Sequence, residues 1–292
     1  MAHARPTTIV SGRYPIHVLV YEQSSEAPTI CMAHGIFVYA LALAGLALPF
    51  FRTGYNVVHW DLPGLGQSGG PRGGCTIPEF ADAWQAALAF THERFGSPIF
   101  TLGVAEDGIT CYYASANNPH VGAISVHALL EQGDYDGMRW LGPDWWIRVI
   151  ALALRVGALV RPSTTVDAGM LVPLDRIFGG PDEGAVVRLL GGDPLALNRA
   201  TLRMADMLMR KHPAPVRYED CKTPVQVIAS EFNRIWPLEM VSANFERLGC
   251  EKQLVRLDGA GQWEYSRRFH DRYASHVMDW FAQHGGIRLA PA

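Results

Sequence analysis

The chain has 292 residues, 49% of them hydrophobic, and a net charge of −3 from 25 basic and 28 acidic residues. This is length and apolar content for one large α/β domain with an insertion. The mixed, near-neutral charge excludes a nucleic-acid surface and an acidic tail. Five scattered cysteines (Cys31, Cys75, Cys111, Cys221, Cys250) lack Cys-x-x-Cys or Cys/His spacing, so reduced thiols, a cytoplasmic compartment and no metal site are expected. Residues 1–10 carry no long apolar run, and no signal peptide is expected.

In chain order, residues 14–21 alternate (Ile16, Val18, Val20 against His17, Leu19, Tyr21) and predict a strand. Residues 29–33 are a short apolar run ending in His34-Gly35. Residues 41–51 have helical spacing, 56–60 form a buried-type strand ending at Asp61, and 77–95 predict a helix punctuated by Ser97-Pro98. A strand over 99–104 is followed by an abrupt turn, a helix through Tyr112, Tyr113 and Ala114, and a strand over 121–127. Residues 132–217 show little strand character and several helical stretches. Strands return at 224–229 and 253–257, with helices at 240–248 and 265–283. The apolar run 145–160 is too short to span a membrane. Arg148 and Arg155, seven residues apart, fall on one helical face. The run predicts an amphipathic lid helix, with peripheral membrane contact as the alternative. No internal repeat or low-complexity linker is evident. Strands alternating with helices predict a mostly parallel sheet covered on both faces. Its chemistry belongs in the turns beyond the carboxyl ends of the strands.

Four of those turns carry a resemblance. Ala33-His34-Gly35-Ile36-Phe37 is similar to an HG oxyanion turn, and residues 61–68 (Asp-Leu-Pro-Gly-Leu-Gly-Gln-Ser) to a D-x-x-G-x-G-x-S turn. Leu102-Gly103-Val104-Ala105-Glu106-Asp107-Gly108 is similar to a nucleophile elbow, and Gly259-Ala260-Gly261-Gln262-Trp263-Glu264 to a late histidine loop. In this order they resemble the α/β-hydrolase superfamily, in particular its lid-bearing esterases, lactonases and lysophospholipase-like members. The resemblance implies a single α/β-hydrolase domain, with core parts 1–131 and 218–292 and a lid inserted at about 132–217.

It also implies a nucleophile, a base and an orienting acid. The nucleophile position holds Ala105, the base position Gln262 and the acid position Asn233, with Glu131 as an alternative acid. A methyl group cannot attack a carbonyl, and a carboxamide has no proton affinity near neutrality. The elbow's second glycine is displaced as well, from 107 to Gly108. Two origins fit: divergence once the nucleophile was lost, or deliberate inactivation to trap a ligand.

An oxyanion hole made of backbone survives such changes, and the N–H groups of Ile36 and Glu106 are its candidates. The carboxylates of Glu106 and Asp107 either stabilise the first turn of their helix or one faces the pocket as acid or base. His127, at a strand end, is the remaining candidate base or else a core histidine, and Glu131 either orients it or starts the lid. His34 is a structural histidine or a substrate contact. Phe37, Tyr112, Trp236 and Trp263, with Trp140 and Trp145 from the lid, line an aromatic cavity or pack the core. The other histidines show no ligand spacing, and Gly64 and Gly66 lead to Ser68 rather than a phosphate-loop lysine. No cofactor is expected. The expected partner is an apolar or aromatic small molecule, with no nucleic acid and no transmembrane segment. The function expected is non-hydrolytic chemistry (cyclisation, isomerisation or elimination) on a carbonyl compound. The alternatives are an inactivated ester or lactone hydrolase and a non-catalytic binder.

Overall fold

The computed structural model describes residues 4–131, 141–171, 188, 190–233 and 235–287. Eight strands form the main sheet: β1 (Ala4–Ser11), β2 (Tyr14–Tyr21), β3 (Thr29–Ala33), β4 (Asn56–Trp60), β5 (Ile99–Gly103), β6 (Val121–His127), β9 (Val225–Ser230) and β10 (Lys252–Leu257). Their order is β1-β2-β4-β3-β5-β6-β9-β10. β1 and β2 pair antiparallel, as do β2 and β4, and every pairing from β4 to β10 is parallel. This is the α/β-hydrolase arrangement. Strands β3, β4 and β5 are buried at every residue, as expected where both faces of a parallel sheet are covered.

The helices follow from the pleat. Phe100 and Thr101, neighbours on β5, point to opposite faces. Phe100 stacks on Phe281 at 4.7 Å, in helix α8 (Arg267–Gln283). Thr101 lies beside Cys111, in helix α3 (Asp107–Ser115). Helix α1 (Ala44–Thr53) packs with α8, and helix α2 (Ile77–Phe95) with α3. A capping box starts α2: the Thr76 backbone N–H donates to Glu79 Oε2 at 2.8 Å, and the Thr76 side chain caps in return. Helix α7 (Leu238–Glu246) lies between β9 and β10 in sequence.

Between β6 and β9 lie helix α4 (Asp144–Val160), a two-stranded ribbon of β7 (Thr165–Asp167) and β8 (Arg199–Thr201), a single turn α5 (Ala168–Leu171) and helix α6 (Leu202–Leu208). α4 buries Ile147 alone and packs on α6. Many of its other apolar side chains are exposed, with Trp145 66%, Leu152 62% and Leu159 74% accessible, while Ile150, Ala151, Leu154 and Ala158 are half-buried. Among the described residues no helix is long and apolar enough to cross a membrane, and no cluster of three potential ligands could hold a metal.

Candidate active site

Strands β3 and β5 pair in parallel, and their last partners are Ala33 and Gly103. The turns that follow them, 34–37 and 104–106, therefore leave the sheet side by side. Gly103 makes the second turn feasible: a Cβ there would stand 2.5 Å from Cys111 Cβ and 2.7 Å from Gly108 Cα. The loop after β4 is pinned by buried Asp61, which accepts the N–H groups of Ala40 (2.6 Å) and Gln67 (2.9 Å) and lies 2.9 Å from His17 Nδ1. Burial opposes ionisation of Asp61, but the contacts with His17 and His34 outweigh it and hold its pKa far below the usual carboxylate value. Both ring nitrogens of His34 are engaged by backbone, Nδ1 with Gly35 O at 2.8 Å and Nε2 with the Leu62 N–H at 3.2 Å. His34 therefore shapes the turn.

Ala105 sits at φ +54°, a left-handed conformation that disfavours a side chain. That strain turns the chain sharply into α3 and brings Glu106 back over the β3 turn. A Cβ at Gly35 would lie 2.8 Å from Glu106 Oε2 and 3.0 Å from Ala105 Cβ. The Glu106 residue as a whole is half-buried, but its carboxylate is enclosed. Burial pushes its pKa up to about 7, against the pull of its own backbone N–H, the Gln262 amide and the Ile36 N–H. Gln262 is fully buried, and neither Oε1 nor Nε2 completes a hydrogen bond. Its amide is close enough to act on the carboxylate through space, yet outside hydrogen-bond geometry. Gly35, Phe37, Val38, Leu43, Val104, Ala105, Glu106, Trp263 and Tyr265 surround a cavity of about 20 Å³, room for about one water.

The remaining candidate residues lie around this centre. Asn233 Oδ1 accepts the N–H groups of Ile235 and Trp236, each at 2.9 Å, and so shapes the loop after β9. That loop meets the Gln262 loop through the Phe232 N–H, which donates to Ala260 O at 2.9 Å. His127 is buried behind Trp263, 5.6 Å between ring centroids. Its Nε2 is 3.3 Å from Ser230 Oγ, and burial lowers its pKa to about 4. Asp107 points into the core, where Oδ1 accepts from Trp84 Nε1 (2.8 Å) and Thr110 Oγ1 (2.6 Å). Burial raises its pKa to about 7. Glu131 forms a surface ion pair with Arg247 at 3.0 Å. Tyr112 packs edge-on against Tyr218 at 5.1 Å, Trp236 is buried away from the cavity wall, and Trp145 is largely exposed beside Trp146. Trp140 lies outside the described residues. Val38, Leu43, Val104 and Tyr265 were not singled out from the sequence. Tyr265 follows Gln262 by three residues, and that proximity was the available signal.

A family model described as "Serine aminopeptidase, S33" matches residues 24–261. The chain belongs to this family of α/β hydrolases. A search of curated proteins found no significant match. Among solved structures, this chain is similar to a soluble variant of monoglyceride lipase from Saccharomyces cerevisiae in complex with a substrate analogue. The identity is 14%, with 96% of this chain and 95% of that chain covered and a TM-score of 0.75. It is similar to DcsB in complex with its substrate analogue at 16% identity, covering 96% and 99%, with a TM-score of 0.73. The α/β hydrolase GrgF from Penicillium sp. sh18 matches at 17% identity, 96% and 98% coverage, and a TM-score of 0.72. Identities this low establish a shared fold, and function must be argued from this chain's own site.

Proposed function

We propose that this chain performs proton-transfer chemistry on an apolar or aromatic carbonyl compound, without hydrolysis, using Glu106 as the acid–base group. The observation that carries the reading is the pairing of a methyl group at the elbow, Ala105, with an adjoining carboxyl of pKa about 7. Without a nucleophile at 105 or a base at 262, no acyl-enzyme can form. A carboxyl half-ionised at neutral pH both takes and returns a proton efficiently. In this reading the Ile36 and Glu106 N–H groups are the oxyanion hole. The carbonyl oxygen replaces the Glu106 carboxylate between them, and the displaced carboxylate removes a proton α to the carbonyl. The electron pair moves onto oxygen as an enolate that the two N–H groups stabilise. Return of the proton at another carbon gives isomerisation. Expulsion of a β-substituent gives elimination, and attack of the enolate on a second group gives cyclisation. Phe37, Val38, Leu43 and Trp263 provide apolar walls, and the insertion between β6 and β9 serves as a lid.

The test is deuterium incorporation from D₂O into a panel of aryl ketones, 1,3-diketones and β-keto lactones, followed by NMR. The expected result is exchange that Glu106→Gln slows by about 100-fold. Equal exchange in both proteins, or ester cleavage by the unmodified chain, overturns the reading. A second reading, an inactivated ester or lactone hydrolase, is favoured by the strained φ of Ala105, which a methyl group does not need. Ester turnover gained by the combined Ala105→Ser, Asn233→Asp and Gln262→His variant would support it.

A further inference from the structure

The place between the β3 turn and the elbow is filled by a carboxylate of the chain itself. Gly35 offers it no side chain and Ala105 offers a methyl, so Glu106 Oε2 sits directly against the β3 turn. The N–H groups of Ile36 and Glu106 act on it from the two turns, and the second of these belongs to the amino-terminal end of α3. Beside it, Gln262 Nε2 is fully buried with no hydrogen-bond partner. An orphaned buried donor is a penalty that a bound acceptor removes. The surrounding walls are Phe37, Val38, Leu43 and Trp263. Backbone donors and a spare amide donor beside apolar surface form a receptor for an anionic oxygen pair, and because the cavity of about 20 Å³ holds about one water, an apolar body enters only as Glu106 swings out and the walls part. Donors of this kind bind a carboxylate about twice as strongly as a neutral carbonyl.

We propose that the site binds small apolar carboxylic acids, whose carboxylate takes the place between the Gly35–Ile36 and Ala105–Glu106 turns that the chain's own Glu106 carboxylate fills. This rests on the acid–base reading and names a ligand class of the same site: a carboxylate that occupies the place the substrate's carbonyl oxygen would take, and so competes with it. Glu106 then acts first as a tethered competitor. Because it is attached to the site, it holds the place at a high effective concentration. An incoming acid must expel it and then tolerate its negative charge nearby.

The experiment is a titration with 4-phenylbutyrate and its methyl ester, followed by amide NMR, on the unmodified chain, Glu106→Ala and Glu106→Gln. Glu106→Ala is expected to bind the acid at least about tenfold more tightly than the unmodified chain does. The ester is expected to bind that variant at least about tenfold more weakly than the acid, and the Ile36 amide signal should move with the acid. Glu106→Gln retains the stem and guards against collapse of the emptied place; it is expected to fall between the other two. Equal affinity for acid and ester, or no binding by either variant with a native spectrum, overturns the proposal. Binding is read without turnover. Loss of binding with intact Glu106-dependent deuterium exchange would sink this inference alone, and binding without exchange would sink the acid–base reading alone.

Discussion

Asp107 is the residue at which the pH response can be isolated. Its Oδ1 is satisfied by Trp84 and Thr110, while its Oδ2 is buried without a partner. Burial raises its pKa to about 7, above an unfolded value near 4. The folded chain keeps this proton as pH rises past 4, where the unfolded chain has released it. Stability from this group is therefore complete below about pH 4 and lost as pH climbs to 7. Asp107→Asn keeps the acceptor and removes the charge. Its expected effect is a gain that grows by about 1.4 kcal/mol per pH unit between about pH 4 and 7, so the variant should gain about 3 kcal/mol more at pH 8 than at pH 5, read by urea unfolding at the two pH values. Residue-level legibility followed the turns. The elbow motif located Ala105, and the late loop located Gln262, because both depend on local backbone chemistry. The backward fold of Glu106 over Gly35 was invisible, since it arises from two turns brought together by a pairing between strands about 70 residues apart in sequence. The sequence could not separate Asp107 from Glu106 either. Adjacent carboxylates at a helix start point in different directions, one into the core and one into the cavity.

Element by element, the sequence served best where the chain is buried on both faces or capped. Strands Thr29–Ala33, Asn56–Trp60 and Val121–His127 and helix Ile77–Phe95 begin and end where the pattern places them. Helix α2 is marked at both ends, by the Thr76–Glu79 capping box and by Gly96. Thr76→Ala is expected to lower stability by about 1 kcal/mol, measurable as a reduced thermal midpoint with unchanged ligand affinity. The elements missed are those held by edges. β1 pairs with β2 alone and leaves most of its residues exposed or half-exposed, so its alternation is weak. β7 and β8 have three residues each and owe their ribbon to mutual pairing. The expected helix 41–51 divides at Ala44 into a 3-10 turn, Ala40–Leu43, and α1. The Ala40 N–H is taken by Asp61, a contact across sequence that periodicity does not reveal.

For the molecule as a whole, buried ionisable groups set an optimum. Burial lowers His127 and His270 to about 4, and burial with His34 nearby lowers His59 to about 3. These three favour the fold above the unfolded histidine pKa of about 6.5 and lose that contribution as pH falls toward 4. Glu106 and Asp107 act in the opposite direction between about 4 and 7. Three histidines against two carboxyls leave a net of one proton, so stability is expected to rise by about 1.4 kcal/mol per pH unit from pH 4.5 to 6. It should then turn over near pH 6.5–7, where the carboxyls act alone. Thermal melts across pH 4.5–8 check the shape, and Glu106→Gln combined with Asp107→Asn should move the maximum to higher pH. The inserted helix α4 carries a different consequence. Of its 17 residues it buries one, Ile147, while β3, β5 and nearly all of β6 are enclosed. So little burial lets α4 come apart at a small fraction of the free energy that opens the sheet. Hydrogen–deuterium exchange should therefore run on two clocks, fast at 144–160 and slow at 99–103 and 121–127. Helix α4 can come and go many times within the lifetime of one folded sheet.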